Sequence, residues 1–184
     1  ALKELDKAIE LDPNNPDYYH TEGQALSMLE KFEEALKEFD KAIKLDPNNP
    51  DYHFDKGHAL FMLDRYEDAL KELDKAIELN PNDPSYYYEK GLVLYMMDRY
   101  EDALKELDKA IELDPNNPDY LVLYARLEAD LGSPEKGIEK IKDLVTSREV
   151  NRDKLCKEIN EELKEVELNE KEESALMSIK NVVC

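Results

Sequence analysis

ALKEFDKAIKLDPNN, residues 35 to 49, decides the fold of this chain. It returns as ALKELDKAIELDPNN from residue 1, ALKELDKAIELNPND from residue 69 and ALKELDKAIELDPNN from residue 103. Successive copies start 34 residues apart, and the copies from residues 1 and 103 are identical letter for letter. A fixed period of this length marks a solenoid of stacked supersecondary units, each too small to bury its own apolar face alone.

Within one copy, Ala1, Leu2, Leu5, Ala8, Ile9 and Leu11 fall at the spacing of one helix face. Asp12-Pro13-Asn14-Asn15-Pro16-Asp17 then ends that helix, because the residue before each proline is driven out of the α region and an interior proline costs about 3 kcal/mol. The same six residues start the next helix, with Asn15 as N-cap, Pro16 in the first helical position and Asp17 at the positive end of the helix dipole. A helix from Pro16 to about Leu29 and a second from about Phe32 to Leu45 are expected. A very short loop between them forces an antiparallel pair. In the next two copies that loop reads Asp64-Arg65-Tyr66-Glu67 and Asp98-Arg99-Tyr100-Glu101, which suits an aspartate cap with a glutamate reaching back.

Paired helices at this period, with Gly23, Ala35, Phe39, Ala42 and Pro47 at fixed offsets, resemble the tetratricopeptide repeat. The set returns as Gly57, Ala69, Leu73, Ala76 and Pro81, and as Gly91, Ala103, Leu107, Ala110 and Pro115. The resemblance covers residues 1–117 and implies an all-α, right-handed superhelical solenoid of antiparallel helix pairs. Its small residues let neighbouring helices approach closely. Two positions depart from the pattern: Tyr19, His53 and Tyr87 stand where the family often has Trp, and Glu22, Lys56 and Lys90 replace the apolar residue before the glycine. Those three charged side chains are expected at the seam's edge, with their heads in water.

The expected organisation is the second helix of a truncated repeat at 1–15, three repeats at 16–49, 50–83 and 84–117, and a degenerate fourth at 118–147. There Ala125 replaces the first Gly and Gly137 the second-helix Ala, and Ser133 caps before Pro134. Residues 148–184 are expected to supply capping helices or a divergent fifth repeat. Leu155, Ile159, Leu163 and Val166 line one helix there, while Asn169 with Glu172 caps a last helix carrying Leu176, Ile179 and Val182.

Composition narrows the function. With 45 acidic residues against 25 basic ones, the net charge of -20 repels phosphate backbones and anionic membrane surfaces, so neither nucleic acid nor membrane is an expected partner. No apolar run approaches the roughly 18 residues that span a bilayer. The sequence begins inside a repeat, so it does not test for an upstream leader. Cys156 and Cys184 lack metal-type spacing and suit reduced thiols in a cytoplasmic protein. His53 and His58 are five apart and point to different sides of a helix; without a Cys partner or an i, i+4 pair, no metal is expected. No phosphate loop, nucleophile elbow or Ser, His and Asp ordering is present, so neither enzymatic activity nor a cofactor is expected.

The resemblance implies a concave binding surface lined by the first helix of each pair. On a helical wheel centred on the Gly, the residues facing it include His20, Gln24 and Met28 in the first repeat, beside Asp17, Thr21 and Ser27. The second gives Phe54, Asp55, His58, Phe61 and Met62, and the third gives Tyr88, Glu89, Leu92, Tyr95 and Met96. Arg126 follows in the fourth, among Val122, Leu123, Ala129 and Asp130. In the third repeat the apolar arc is wider than a surface helix needs. The expected activity is a non-enzymatic scaffold that binds a peptide or protein segment, with apolar pockets around Phe54, Phe61, Tyr88 and Tyr95 and basic flanks read by Asp55 and Glu89. Some tetratricopeptide domains of chaperone partners hold a C-terminal carboxylate with Lys, Asn and Arg. This groove lacks that set, Arg126 being its sole cation, so an acidic tail is not the expected ligand. The alternative is structural: the apolar face carrying Leu5 and Ile9 stacks end to end on another copy.

Overall fold

A computed structural model describes residues 2–147, 151–165 and 170–184. It contains helices α1 (Leu2–Leu11), α2 (Pro16–Ser27), α3 (Phe32–Leu45), α4 (Pro50–Phe61), α5 (Tyr66–Leu79) and α6 (Pro84–Met96). These are followed by α7 (Tyr100–Leu113), α8 (Pro118–Asp130), α9 (Pro134–Thr146), α10 (Arg152–Glu165) and α11 (Glu170–Val183), with no strand among the described residues. The boundaries follow from local chemistry. Asn15, Asn49, Asp83 and Asn117 each accept a hydrogen bond from the N–H two residues on, at 2.9 to 3.1 Å, with proline at the first helical position. At the preceding helix end, Asp12, Asp46, Asn80 and Asp114 accept in the same way and close the turn.

The turn between the two helices of a pair differs from expectation. Glu30, Asp64 and Asp98 sit in the left-handed region, at φ 57 to 58°, where Gly132 sits at 76° in the fourth pair. Asp64 and Asp98 therefore face back and accept the hydroxyls of Tyr66 and Tyr100 at 2.7 and 2.8 Å. The N-caps are Arg65 and Arg99, and neither makes a side-chain cap bond, so the expected capping box does not form. Ser133 holds the N-cap position of α9, also without a side-chain bond.

The chain forms two compact units, residues 1–97 and 98–184. In the first, α2 pairs with α3 and α4 with α5, while α3 packs on α4 and α5 on α6. Its core joins Leu26, Ala35, Leu36, Phe39, Ala59, Leu60, Ala69, Leu73 and Val93. Gly23 and Gly57 meet the opposing helix so closely that an added Cβ would lie 2.5 Å from Phe39 and 3.0 Å from Leu73.

In the second unit α8 pairs with α9, and ten of the thirteen α8 residues are buried. Gly137 comes within Cβ reach, 3.2 Å, of the Ala125 backbone, so the small residue has changed helix and the close approach has been kept. α11 packs on both α8 and α9, and α10 packs on α11 and α8. Leu155, Ile159, Leu176 and Ile179 are fully buried in that packing. Val166 and Asn169 lie outside the described residues, as do the side chains of Leu163 and Val182. Cys156 and Cys184 form a disulfide, with 5.4 Å between their Cα atoms, which corrects the expectation of free thiols. Antiparallel α10 and α11 bring together two cysteines 28 residues apart in sequence. A cytoplasmic location thereby loses the support that free thiols gave it. No described helix is long and apolar enough to cross a membrane.

Candidate functional site

The face built by the first helices of the pairs is set by tyrosines that recur at one position. The Tyr52 hydroxyl donates to Asp17 at 2.5 Å and that of Tyr86 to Asp51 at 2.8 Å, each reaching the start of the preceding first helix. Burial and the neighbouring Asp17 push the Tyr52 phenol up to about 12, and burial with Asp51 raises Tyr86 too, so both remain protonated donors. Tyr19 and Tyr87 donate to the carbonyls of Pro13 and Pro81, and His53 approaches that of Pro47 at 3.1 Å. The position held by Tyr19, His53 and Tyr87 thus ties helix to turn.

Across this scaffold runs a polar ladder. His20 Nε2 and Gln24 Nε2 both donate to Asp55 Oδ2 at 2.7 Å, and His58 Nδ1 donates to Glu89 Oε1 at 2.6 Å. The hydrogen bond to Glu89 raises the His58 imidazole's pKa against the opposing effect of burial. Asp55 and Glu89, expected to read a ligand's basic flanks, are the acceptors that join α2 to α4 and α4 to α6. Glu89 is 7% exposed.

Apolar residues of this face divide into two groups. Phe54 lies 5.0 Å from the Tyr86 ring and Phe61 6.0 Å from that of Tyr66, and both phenylalanines pack on the core cluster. Tyr88, Leu92 and Tyr95 are half-buried. Met28, Met62 and Met96 occupy one repeat position and stay exposed, at 86%, 47% and 51%.

Of the expected residues, Gln24, Met28, Asp55, His58 and Met62 border one cleft of about 660 Å³ between α2, α3 and α4. Ser27, already on the expected face, joins them, and so do Glu30, Phe32 and Phe39, which reasoning confined to the first helices missed. One signal was available: Phe39 is the phenylalanine of a column that reads Leu73 and Leu107 in later copies. His20, Phe54, Phe61, Tyr88, Glu89, Leu92, Tyr95 and Met96 are not part of that cleft's lining.

Arg126 belongs to the second unit and does not present a free cation. Its Nε donates to Glu172 of α11 at 2.8 Å, and Glu172 is 3% exposed. The cap expected of Asn169 with Glu172 lies outside the described residues; in this contact α11 supplies the carboxylate that Asp55 and Glu89 supply in the earlier repeats. Val122, Leu123 and Ala129, expected beside Arg126 in a groove, are buried.

The charged seam residues also need correcting. Lys56 Nζ bridges Asp40 at 2.8 Å and Glu72 at 2.6 Å, and Lys90 meets Asp74 at 2.8 Å; each lysine side chain is 20% exposed, so these heads are not simply in water. Burial works to lower the Lys56 pKa, and the two carboxylates outweigh it. Glu72 also accepts from His53 Nδ1 at 2.8 Å, and although burial opposes it, these partners hold its pKa below the usual carboxylate value.

Stacked antiparallel helix pairs with a graded, partly apolar face on the first helices define a repeat scaffold. Models of the tetratricopeptide repeat match residues 4–37 and 84–117, and a TPR repeat model matches 23–64 and 57–98. The chain belongs to the tetratricopeptide repeat family, and its fold is that family's α-solenoid. Among solved structures it is similar to MamA 41-end from Desulfovibrio magneticus RS-1, at 26% identity and TM-score 0.73 over 79% of this chain and 82% of that one. It is also similar to YrrB, described as a TPR protein with an unusual peptide-binding site, at 22% identity, TM-score 0.69, 97% of this chain and 91% of that one. The first TPR of Spaghetti (RPAP3), bound to HSP90 peptide SRMEEVD, aligns at 24% identity and TM-score 0.63 over 66% of this chain and 97% of that one. Comparison with curated protein sequences finds no match.

Proposed function

We propose that this protein is a non-enzymatic scaffold that binds a peptide or protein segment on the face formed by α2, α4 and α6. The cleft at Gln24, Met28, Asp55, His58 and Met62 carries this reading, because it is concave, floored by Phe32 and Phe39, and walled by exposed methionine. Met and aromatic side chains adapt to or dominate interfaces, and a hydrogen-bonded polar ladder beside them fixes orientation. Tyr88, Leu92, Tyr95 and Met96 extend the surface along α6, and Phe61 joins it on α4. The fold's use for peptide binding in YrrB and in the RPAP3 domain is consistent with it.

Cross-linked capture from the native host, with a Phe61→Ala/Tyr95→Ala variant as control, tests the proposal. Partners should be retained by the wild-type chain and lost by the variant, with helicity unchanged. Equal capture by a folded variant would place the interface elsewhere.

A further inference from the structure

Two concavities among the described residues of the first unit differ in charge. One of about 380 Å³ beside Lys56 is bordered by four carboxylates and four cations, a balanced set that favours no charged ligand. The α2, α3 and α4 cleft is bordered by two carboxylates, Glu30 and Asp55, and by no Lys or Arg. His58 is its one basic group, and its Nδ1 is committed to Glu89, which balances any charge the ring carries.

Three further features fall in the same cleft. Both bonds that Asp55 accepts go to Oδ2, leaving Oδ1 without a partner among the described residues. Ser27 Oγ is buried and has no hydrogen-bond partner among the described residues. A native protein rarely keeps such an atom unsatisfied unless a ligand or water completes it. Finally, Met28 and Met62 leave soft, extended apolar surface at the rim, while Phe39 below is 1% exposed.

We propose that this cleft takes the side chain of an arginine from the bound partner. The pairing deepens the reading of this face as the binding surface and rests on it. The methylene stem lies across Met28 and Met62, and the planar guanidinium directs N–H donors at Asp55 Oδ1 and Ser27 Oγ, with Glu30 adding negative potential. Lysine fits less well, since an ammonium is a strongly hydrated point charge without the fork that serves separate acceptors. A glutamate or an acidic tail meets two carboxylates and is repelled.

The test uses the full chain labelled at its methionine methyls and titrated by NMR with N-acetyl-arginine methylamide, its norleucine analogue and its glutamate analogue. The arginine probe should shift the Met28 and Met62 methyls saturably while Met96 stays put. The norleucine and glutamate probes should bind about tenfold more weakly or worse, the factor that goes with a lost charge-assisted bond. Asp55→Asn should cost the arginine probe about tenfold, and Ser27→Ala a smaller factor, about threefold. Unchanged Met96 shifts verify that each variant is folded, and Ser27→Ala decides the matter if Asp55→Asn is not. Equal binding of the arginine and norleucine probes, or no saturable shift with the arginine probe, overturns the inference. If the probe fails while the Phe61→Ala/Tyr95→Ala variant still loses its partner, the arginine site is wrong and the binding face stands. If the probe binds while partner capture is unaffected, the binding face is wrong and the pocket's chemistry is right.

Discussion

A methyl group added at Gly23 tests the packing of the first repeat against that of the second. The Cβ of Gly23→Ala would sit 2.5 Å from Phe39 Cε1 and 2.7 Å from Cδ1, whereas at the matching Gly57 the nearest atom is Leu73 Cγ at 3.0 Å. Both positions lie inside helices, where Ala is worth about 1 kcal/mol more than Gly. At Gly57 Leu73 yields by a few tenths of an ångström, which roughly cancels that gain. At Gly23 the overlap is about 1 Å inside an optimal carbon–carbon contact, and the ring that must shift is 1% exposed. Overpacking of that kind costs typically about 1–3 kcal/mol. The net expectation is therefore a loss of up to about 2 kcal/mol for Gly23→Ala and about zero for Gly57→Ala. Phe39→Leu gives the first repeat the second's pairing, at about 1 kcal/mol of its own. In that background Gly23→Ala should become neutral, a coupling of up to about 2 kcal/mol. Urea unfolding of the four cycle members, followed by circular dichroism and tyrosine fluorescence, supplies the numbers. If Gly23→Ala is as benign as Gly57→Ala with Phe39 present, or if the effects simply add, Phe39 does not press on Gly23 as closely as 2.5 Å implies.

Other consequences are open to the same methods. Reducing Cys156–Cys184, or replacing both with Ser, should destabilise the second unit by up to about 3.5 kcal/mol from loop entropy over the 28-residue separation, and should speed amide exchange in α11; unchanged exchange would mean that packing alone holds the hairpin. Arg126→Met leaves the carboxylate of buried Glu172 without its guanidinium and should cost about 3 kcal/mol, while Arg126→Met with Glu172→Met should recover much of it; a double variant no better than the single one counts against the pair. His58 has its folded pKa raised by Glu89, so its contribution is fully present below the unfolded value of 6.5 and is lost as pH rises through the folded value. Stability should fall between pH 6 and pH 8 by less in His58→Gln than in wild type, and imidazole NMR should show a midpoint above 6.5. With the side chain 46% exposed the effect is small and salt-sensitive.

The helix pairs were legible because their signals are local and repeated four times. Asn15 caps α2 for reasons contained within three residues, and it does so again at Asn49, Asp83 and Asn117. At the Asp64 turn local reasoning erred, since a left-handed φ of 57° turns the carboxylate toward Tyr66 instead of into a cap, and backbone handedness is not visible in residue types. Asp55 and Glu89 show why the site was only half legible. Their position on the face followed from helical periodicity, but whether they meet a ligand or a neighbour depends on the rotation of one helix against the next. Lys56 is the same case, a seam charge that becomes a bridge because Asp40 and Glu72 flank it from two other helices.

By itself the sequence determined the period, the alternation of helices, their caps and the small residues at the crossings, all of which act over a turn or two of chain. Tertiary structure alone decided the meetings of residues far apart in sequence: His58 with Glu89, Arg126 with Glu172, and the joining of Phe39 to Ser27 and Asp55 in one cleft. Such meetings depend on the volumes that set helix against helix, and a repeat that conserves its own pattern leaves them to be settled by packing.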